Sequence, residues 1–228
     1  LLAEVAGPSA SGARCDLLPV RIDKLLALGA LEQAAALIDA AGATTPEMFR
    51  RSFDVALLTG AEDRACEAMQ NAPHLAPTVP ARIFCLARSG DWDTAALTLH
   101  TSEALGQVSA DQAALLGRFL DPDLFEGDPV PPAPQPVTPL DWRIYEAVGE
   151  PLPTEGLPLA FSYAEIDPRA GWKAQIEAAE RLTRAGTIAP NVILGLYTER
   201  QPAASGGVWD RVAAFQDFDA ALTSGDVA

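Results

Sequence analysis

Three glycines set at a near-constant interval restrict this chain more than any other feature. Gly29, Gly60 and Gly90 fall 31 and 30 residues apart, each closes an apolar run, and each is followed five residues later by an alanine: Ala34, Ala65 and Ala95. A period of this length marks one supersecondary unit written repeatedly. After Gly29, the residues Leu31, Ala34, Ala35 and Ile38 recur at i, i+3, i+4 and i+7. Glu62, Ala65, Cys66 and Met69 occupy the same places after Gly60, and Trp92, Ala95, Ala96 and Leu99 do so after Gly90. That spacing puts each set on one face of a helix.

The segments before the glycines read as helices too. Phe49, Phe53, Ala56 and Leu57 line one stripe, and Pro46 stands where a first-turn proline is tolerated. Each glycine then ends the first helix of a pair. Alanines at the centre of the second helix let two backbones approach closely, and the bulkier residues at its ends fill the remaining space. The unit is an antiparallel helical hairpin. One hairpin cannot cover its own apolar stripe, which is the physical reason for stacking several. A further piece follows, with Ser109 and Gln112 as a capping box, Ala113, Leu116 and Leu120 as a stripe, and Asp121-Pro122 as a stop.

The region from Pro19 to Pro122 resembles the tetratricopeptide-like helical repeats, best at the glycine followed at a distance by alanine. The aromatic, glycine and proline pattern of the strict tetratricopeptide motif is incomplete. The same region is more loosely similar to the superhelical, non-catalytic part of soluble lytic transglycosylases. That family's catalytic domain uses a glutamate followed by serine, and this chain has no Glu-Ser pair. The segment GLYTERQPAASGGVWDRV, Gly195 to Val212, is similar to a segment of uncharacterised bacterial proteins predicted to be secreted. No activity comes with that resemblance.

Asp128 to Pro139 reads DPVPPAPQPVTP, which excludes helix and central strand and suggests an extended, semi-rigid connector. Beyond it, Thr138 caps a helix with Pro139 in its first turn, running through Trp142 and Tyr145 to Gly149. Leu159 to Ile166 reads as a short helix, Trp172 to Ala185 as a clear one ending at Gly186, and Asn191 to Glu199 and Val208 to Leu222 as two more. In the last of these, Val208, Val212, Phe215, Phe218 and Leu222 are expected near the buried side. No alternating strand pattern competes. The expected fold is all-α, with antiparallel helical hairpins stacked as a short solenoid and a second helical half after the connector. The corresponding divisions are an N-terminal extension at 1–18, a helical-repeat region at 19–122, a Pro-rich linker at 123–139 and a C-terminal helical region at 140–228.

Charge narrows the choice of partner. Sixteen basic against 31 acidic residues give a formal charge of −15 and a pI near 4.4, so nucleic acid and anionic lipid would be repelled. Only Lys24 and Lys173 are lysines, and this arginine bias, with abundant alanine, suggests a GC-rich bacterial genome. No apolar run is long enough for a transmembrane helix. The opening LLAEVAGPSASGARC lacks the basic start and apolar core of a signal peptide.

Few residues carry recognisable chemistry. His74 and His100 are isolated from one another and from acids at ligand spacing, and neither H-E-x-x-H nor C-x-x-C occurs, so no metal site and no cofactor are expected. A hydrolase elbow, a Walker loop and a dinucleotide fingerprint are missing, and SGGV at 205–208 follows a loop and not a strand. Glu62-Asp63, Asp91 with Asp93, and Asp217 with Asp219 are explained as helix-start or polar-face acids. Cys66 and Cys85 stand at similar depth on neighbouring helices. They are either a disulfide, implying an oxidising compartment, or two buried thiols serving as small apolar residues; Cys15 stays unpaired.

One polar and aromatic cluster remains: Tyr197, Glu199, Arg200, Trp209, Asp210 and Arg211, around the glycines at 206 and 207. It reads either as a site for a carboxylate or sugar or as a buried ion pair that fixes a helix-to-helix turn. The functional expectation is a non-catalytic helical-repeat scaffold, periplasmic or secreted, that binds a protein or peptide with basic patches. The alternative is a peptidoglycan- or glycan-binding accessory, motivated by the transglycosylase likeness and by Trp142, Trp172 and Trp209.

Overall fold

Local signals set the helix ends. In the computed structural model, which describes residues 17–225, Thr45 accepts a hydrogen bond from the Met48 N–H at the start of a helix, Pro46–Thr59, whose first residue is proline. At its other end Gly60 adopts φ +73°, a left-handed conformation that costs glycine least, and its N–H returns to the Ala56 carbonyl. Thr78, Asp91 and Ser109 cap later helices in the same manner, Ser109 through a full capping box with Gln112. The expected N-terminal extension, 1–18, and Cys15 with it, lie outside the described residues apart from Leu17 and Leu18, which already belong to a helix.

Twelve α-helices and no strand occur among the described residues. The chain divides into two compact units: residues up to Leu26 with Leu31–Leu157, and Ala27–Ala30 with Pro158 onward. The first holds α1 (Leu17–Ala27), α2 (Leu31–Ala41), α3 (Pro46–Thr59), α4 (Glu62–Asn71), α5 (Val79–Arg88), α6 (Trp92–Ala104), α7 (Ala110–Leu120) and α8 (Pro139–Ala147), the last residue of α1 going with the second unit. From α2 to α7 each helix packs on the next in chain order. The alanines of the second helices, Ala34, Ala65 and Ala95, are all buried. Phe49, Phe53, Leu57, Phe84, Leu115 and Leu116 fill the core beside Ala65 and Ala95.

The first unit extends further than the sequence suggests. Helix α8 packs against both α3 and α7 and sends Leu140, Ile144 and Tyr145 into the same core as Phe53 and Leu116. Its Arg143 donates through Nε to the Leu57 carbonyl at the end of α3. The proline segment before it is no free spacer. Val130 and Ala133 lie against the core, Val137 is buried, Tyr145 Oη donates to the Pro131 carbonyl at 2.7 Å, and Arg118 Nη2 donates to the Asp128 carbonyl at 2.7 Å. The expected linker at 123–139 and the start of the expected C-terminal region at 140 therefore lie inside the first unit. The physical reason is that α3 and α7 present an apolar side that the hairpins leave uncovered.

The second unit contains α9 (Leu159–Ala164), α10 (Trp172–Arg184), α11 (Pro190–Glu199) and α12 (Val208–Ser224). Helix α10 packs on α9, α11 and α12, and Ile176, Ala178, Ala179 and Leu182 bury its apolar face. In α12 only Val208 and Val212 are buried, whereas Phe218 and Leu222 are exposed, because this helix of 17 residues outruns its shorter neighbours of 13 and 10. Trp92, expected on a buried face, is likewise half exposed and leans on Phe119 with ring centroids 6.5 Å apart.

Two carboxylates near α3 feel opposite environments. Arg51 grips Asp23 through Nε and Nη2, both at 2.7 Å, which holds the Asp23 pKa below its ordinary value. Burial instead pushes Asp54 from 3.8 up to about 6, despite its bond from Arg50 Nη1 at 2.9 Å. A carboxyl that binds its proton more tightly when folded contributes stability that grows as pH falls from about 6 to about 4, and opposes folding once ionised. Asp54→Asn is therefore expected to raise the urea midpoint at pH 7 and to remove that part of the pH dependence. An unaltered pH profile in the variant would show that burial of this carboxyl is not the cause.

Candidate functional site

The cluster foreseen around Gly206 and Gly207 is organised by a residue outside it. Glu180 lies on α10 between the apolar positions Ala179 and Leu182, so the helix carries its carboxylate inward, where its side chain is 7% exposed. Oε1 accepts hydrogen bonds from Tyr197 Oη and Arg211 Nε, both at 2.7 Å. Oε2 accepts from Arg211 Nη2 at 2.8 Å and from Arg184 Nη2 at 2.9 Å. Arg211 thus binds bidentately, the strongest geometry available to this pair. Four donors occupy the two oxygens.

Electrostatics follow from that geometry. Burial works to raise the Glu180 pKa, but the hydrogen bonds from Arg211 and Tyr197 and the charges of Arg211 and Arg184 outweigh it and hold the carboxyl below its ordinary 4.5. Burial and then the Glu180 carboxylate raise Tyr197, and the same carboxylate raises Arg211. Each group is locked into the charge it carries at neutral pH. A carboxylate with its lone pairs filled by protein donors is a strut between α10, α11 and α12, and no ligand is needed to complete it.

The rest of the foreseen set divides. Trp209 packs against Trp172 with ring centroids 5.1 Å apart, and Trp172 Nε1 donates to the Leu196 carbonyl at 3.0 Å. Asp210 Oδ1 accepts the Gly206 N–H at 2.7 Å, pinning the loop to the first turn of α12. Glu199 and Arg200 pair with each other on the surface, 2.9 Å apart, away from Glu180's oxygens. So Tyr197 and Arg211 meet at one point, Trp209 and Asp210 brace the same turn, and Glu199 and Arg200 do not join them. Sequence reasoning missed Glu180 and Arg184. The available signal was an acid inside the apolar stripe of α10, four residues before an arginine.

In the first unit a different opening was not foreseen at all. Helices α2 and α4 both pack on α3 and leave a groove of about 180 Å³ between them. Phe49, Ser52, Val55 and Ala56 of α3 form its floor, with Leu75 at one side. Asp39 lies on the α2 wall and Arg64 on the α4 wall, both exposed. Neither side chain makes an ion pair or hydrogen bond among the described residues, and the same holds for the half-buried Ser52. This is where the first unit keeps unspent polar groups beside apolar surface.

Cys66 of α4 and Cys85 of α5 are joined by a disulfide, with Cα atoms 5.0 Å apart and both residues buried. Among the described residues no group of three or more His, Cys, Asp and Glu side chains is placed to hold a metal ion, and no helix is long and apolar enough to cross a membrane.

If Glu180 is a strut, Glu180→Gln should lower stability at pH 7 by about 2 kcal/mol, less than for a fully buried pair because Arg211 is half exposed. A carboxyl with a depressed pKa supplies its stability above the unfolded value and loses it as pH falls through the folded one. The gap between wild type and variant in urea titrations should therefore close below pH 4.5. A constant gap down to acid pH would contradict the assignment. Comparison of the chain with protein-family models, with curated proteins and with solved structures returns no match.

Proposed function

We propose that this chain is a non-catalytic helical scaffold that binds a protein or peptide partner in the bacterial envelope. The observation that supports the reading best is the groove across α3, which combines an apolar floor with an unpaired carboxylate on one wall and an unpaired guanidinium on the other. Stacked helices suit such a role, since successive hairpins present an extended surface to a partner. The side of α3 and α7 that faces α8 is filled by the chain itself, whereas no residue of α8 lines the groove. With a net charge of −15, the favoured partner carries basic patches.

The disulfide supports an oxidising compartment, since such bonds persist in secreted and periplasmic proteins and are rare in a reducing cytosol. A glycan-binding role gains nothing comparable. The indoles of Trp142 and Trp172 are buried and donate to the backbone carbonyls of Leu152 and Leu196, and Trp209 packs on Trp172 with its ring tilted by 42°.

Two measurements test the reading. A peptide array biased toward basic sequences should yield binders whose affinity falls with added salt, whereas an array blank at all salt concentrations would count against a peptide-binding scaffold. Protein isolated without reductant from its native host should have the mass of the bridged form, lighter by two hydrogens than the dithiol. Reduction should then lower its stability by about 3 kcal/mol, the loop-closure value for a bridge spanning 19 residues. Recovery of the free dithiol alone would remove the support for an oxidising compartment.

A further inference from the structure

The groove over α3 has a chemistry specific enough to name what it takes. We propose that it binds an extended peptide segment at three points: one apolar side chain in the cavity, a cationic group at Asp39 and a carboxylate at Arg64. This rests on the scaffold reading above and adds the ligand's chemistry to it.

Volume selects the central group. Apolar cavities of about 150 Å³ take a benzene-sized group, so about 180 Å³ accommodates one side chain of leucine, methionine or phenylalanine size. The face of a docking helix, with anchors at several successive turns, does not fit in it. Phe49, Val55 and Ala56 supply the apolar floor, and the small side chains of Ala35, Ala65 and Ala68 on the walls let a peptide backbone come close. Ser52 offers a hydroxyl on the floor, free to donate to or accept from a backbone group of the ligand.

Charge selects the flanks. A guanidinium recognises a carboxylate bidentately, and Arg64 has no internal acceptor competing for it among the described residues. Asp39, similarly unpaired, attracts an ammonium or guanidinium across the gap. A free amino acid carries both charges on a single carbon. Here the partners stand on two helices that flank a third, with neighbouring axes typically about 8–10 Å apart, so a spacer between the charges is required. A peptide provides it. The carboxylate can come from an acidic side chain or from a chain terminus, and the chemistry at Arg64 is the same for both.

The test uses fluorescence anisotropy with a labelled, end-blocked pentapeptide, Lys-Gly-Leu-Gly-Glu, and three relatives: one with glycine for the leucine, one with glutamine for the glutamate, and Lys-Gly-Leu with a free terminal carboxylate. Arg64→Ala, Asp39→Asn and Ala68→Trp all change exposed positions, and circular dichroism checks that each variant keeps its helix content. Ala68→Trp should fill the groove and abolish binding of every probe. Arg64→Ala should weaken the glutamate probe about tenfold, and the glutamine probe should bind wild type and Arg64→Ala equally. Asp39→Asn should weaken all probes by a similar factor. Preference for the pentapeptide or for the free-terminus probe identifies the source of the carboxylate. If array peptides bind the chain and Ala68→Trp and Arg64→Ala bind them as wild type does, the groove assignment is overturned while the scaffold reading stands. If neither the probes nor any array peptide binds, both are overturned.

Discussion

Every helix from α2 to α8 carries an apolar stripe that it cannot cover alone, and the first unit is the solution to that single constraint. Helices of 9 to 14 residues are marginal in water by themselves, and their caps add only about 1 kcal/mol each. What holds them is mutual burial. Ala34, Ala65 and Ala95 permit close backbone approach, and Phe49, Phe53, Leu57 and Leu116 occupy the volume between. The same requirement explains α8, since α3 and α7 would otherwise leave apolar surface open, and Leu140, Ile144 and Tyr145 cover it.

Helix boundaries were legible because the signals for them are local. Pro46, Ser109 with Gln112, Thr138 and Gly186 act within four residues of where they stand, so their roles follow from the letters alone. Features that depend on distant partners were not. In the proline segment, Val130, Ala133 and Val137 turn toward a core built from residues far earlier in the chain, and six prolines conceal those apolar positions from any periodicity. Phe218 and Leu222 carry a helical stripe as good as that of Val208 and Val212, yet their exposure is decided by how far the neighbouring helices reach.

The charged residues show the same division. Glu199 and Arg200 look like a site because they are adjacent, but adjacency lets them satisfy each other at the surface. Glu180 and Arg211 are 31 positions apart and form the tie among three helices. Saturation separates a strut from an open group: Glu180 has its acceptors filled, whereas Asp39 keeps its acceptors and Arg64 its donors open on opposite walls. No count of charges in the sequence distinguishes those cases, because the distinction lies in who the neighbours are.

The bond between Cys66 and Cys85 closes around the turn that contains the short helical segment Pro73–Leu75. A protease that nicked this turn would leave the chain in two pieces still held by sulfur, with α4 and α5 kept side by side. Fragments on either side could then neither diffuse apart nor lose their register, and the core they share would outlast the cut. Damage at that bend is thereby converted from separation into a break that parts the chain only once the thiols are set free.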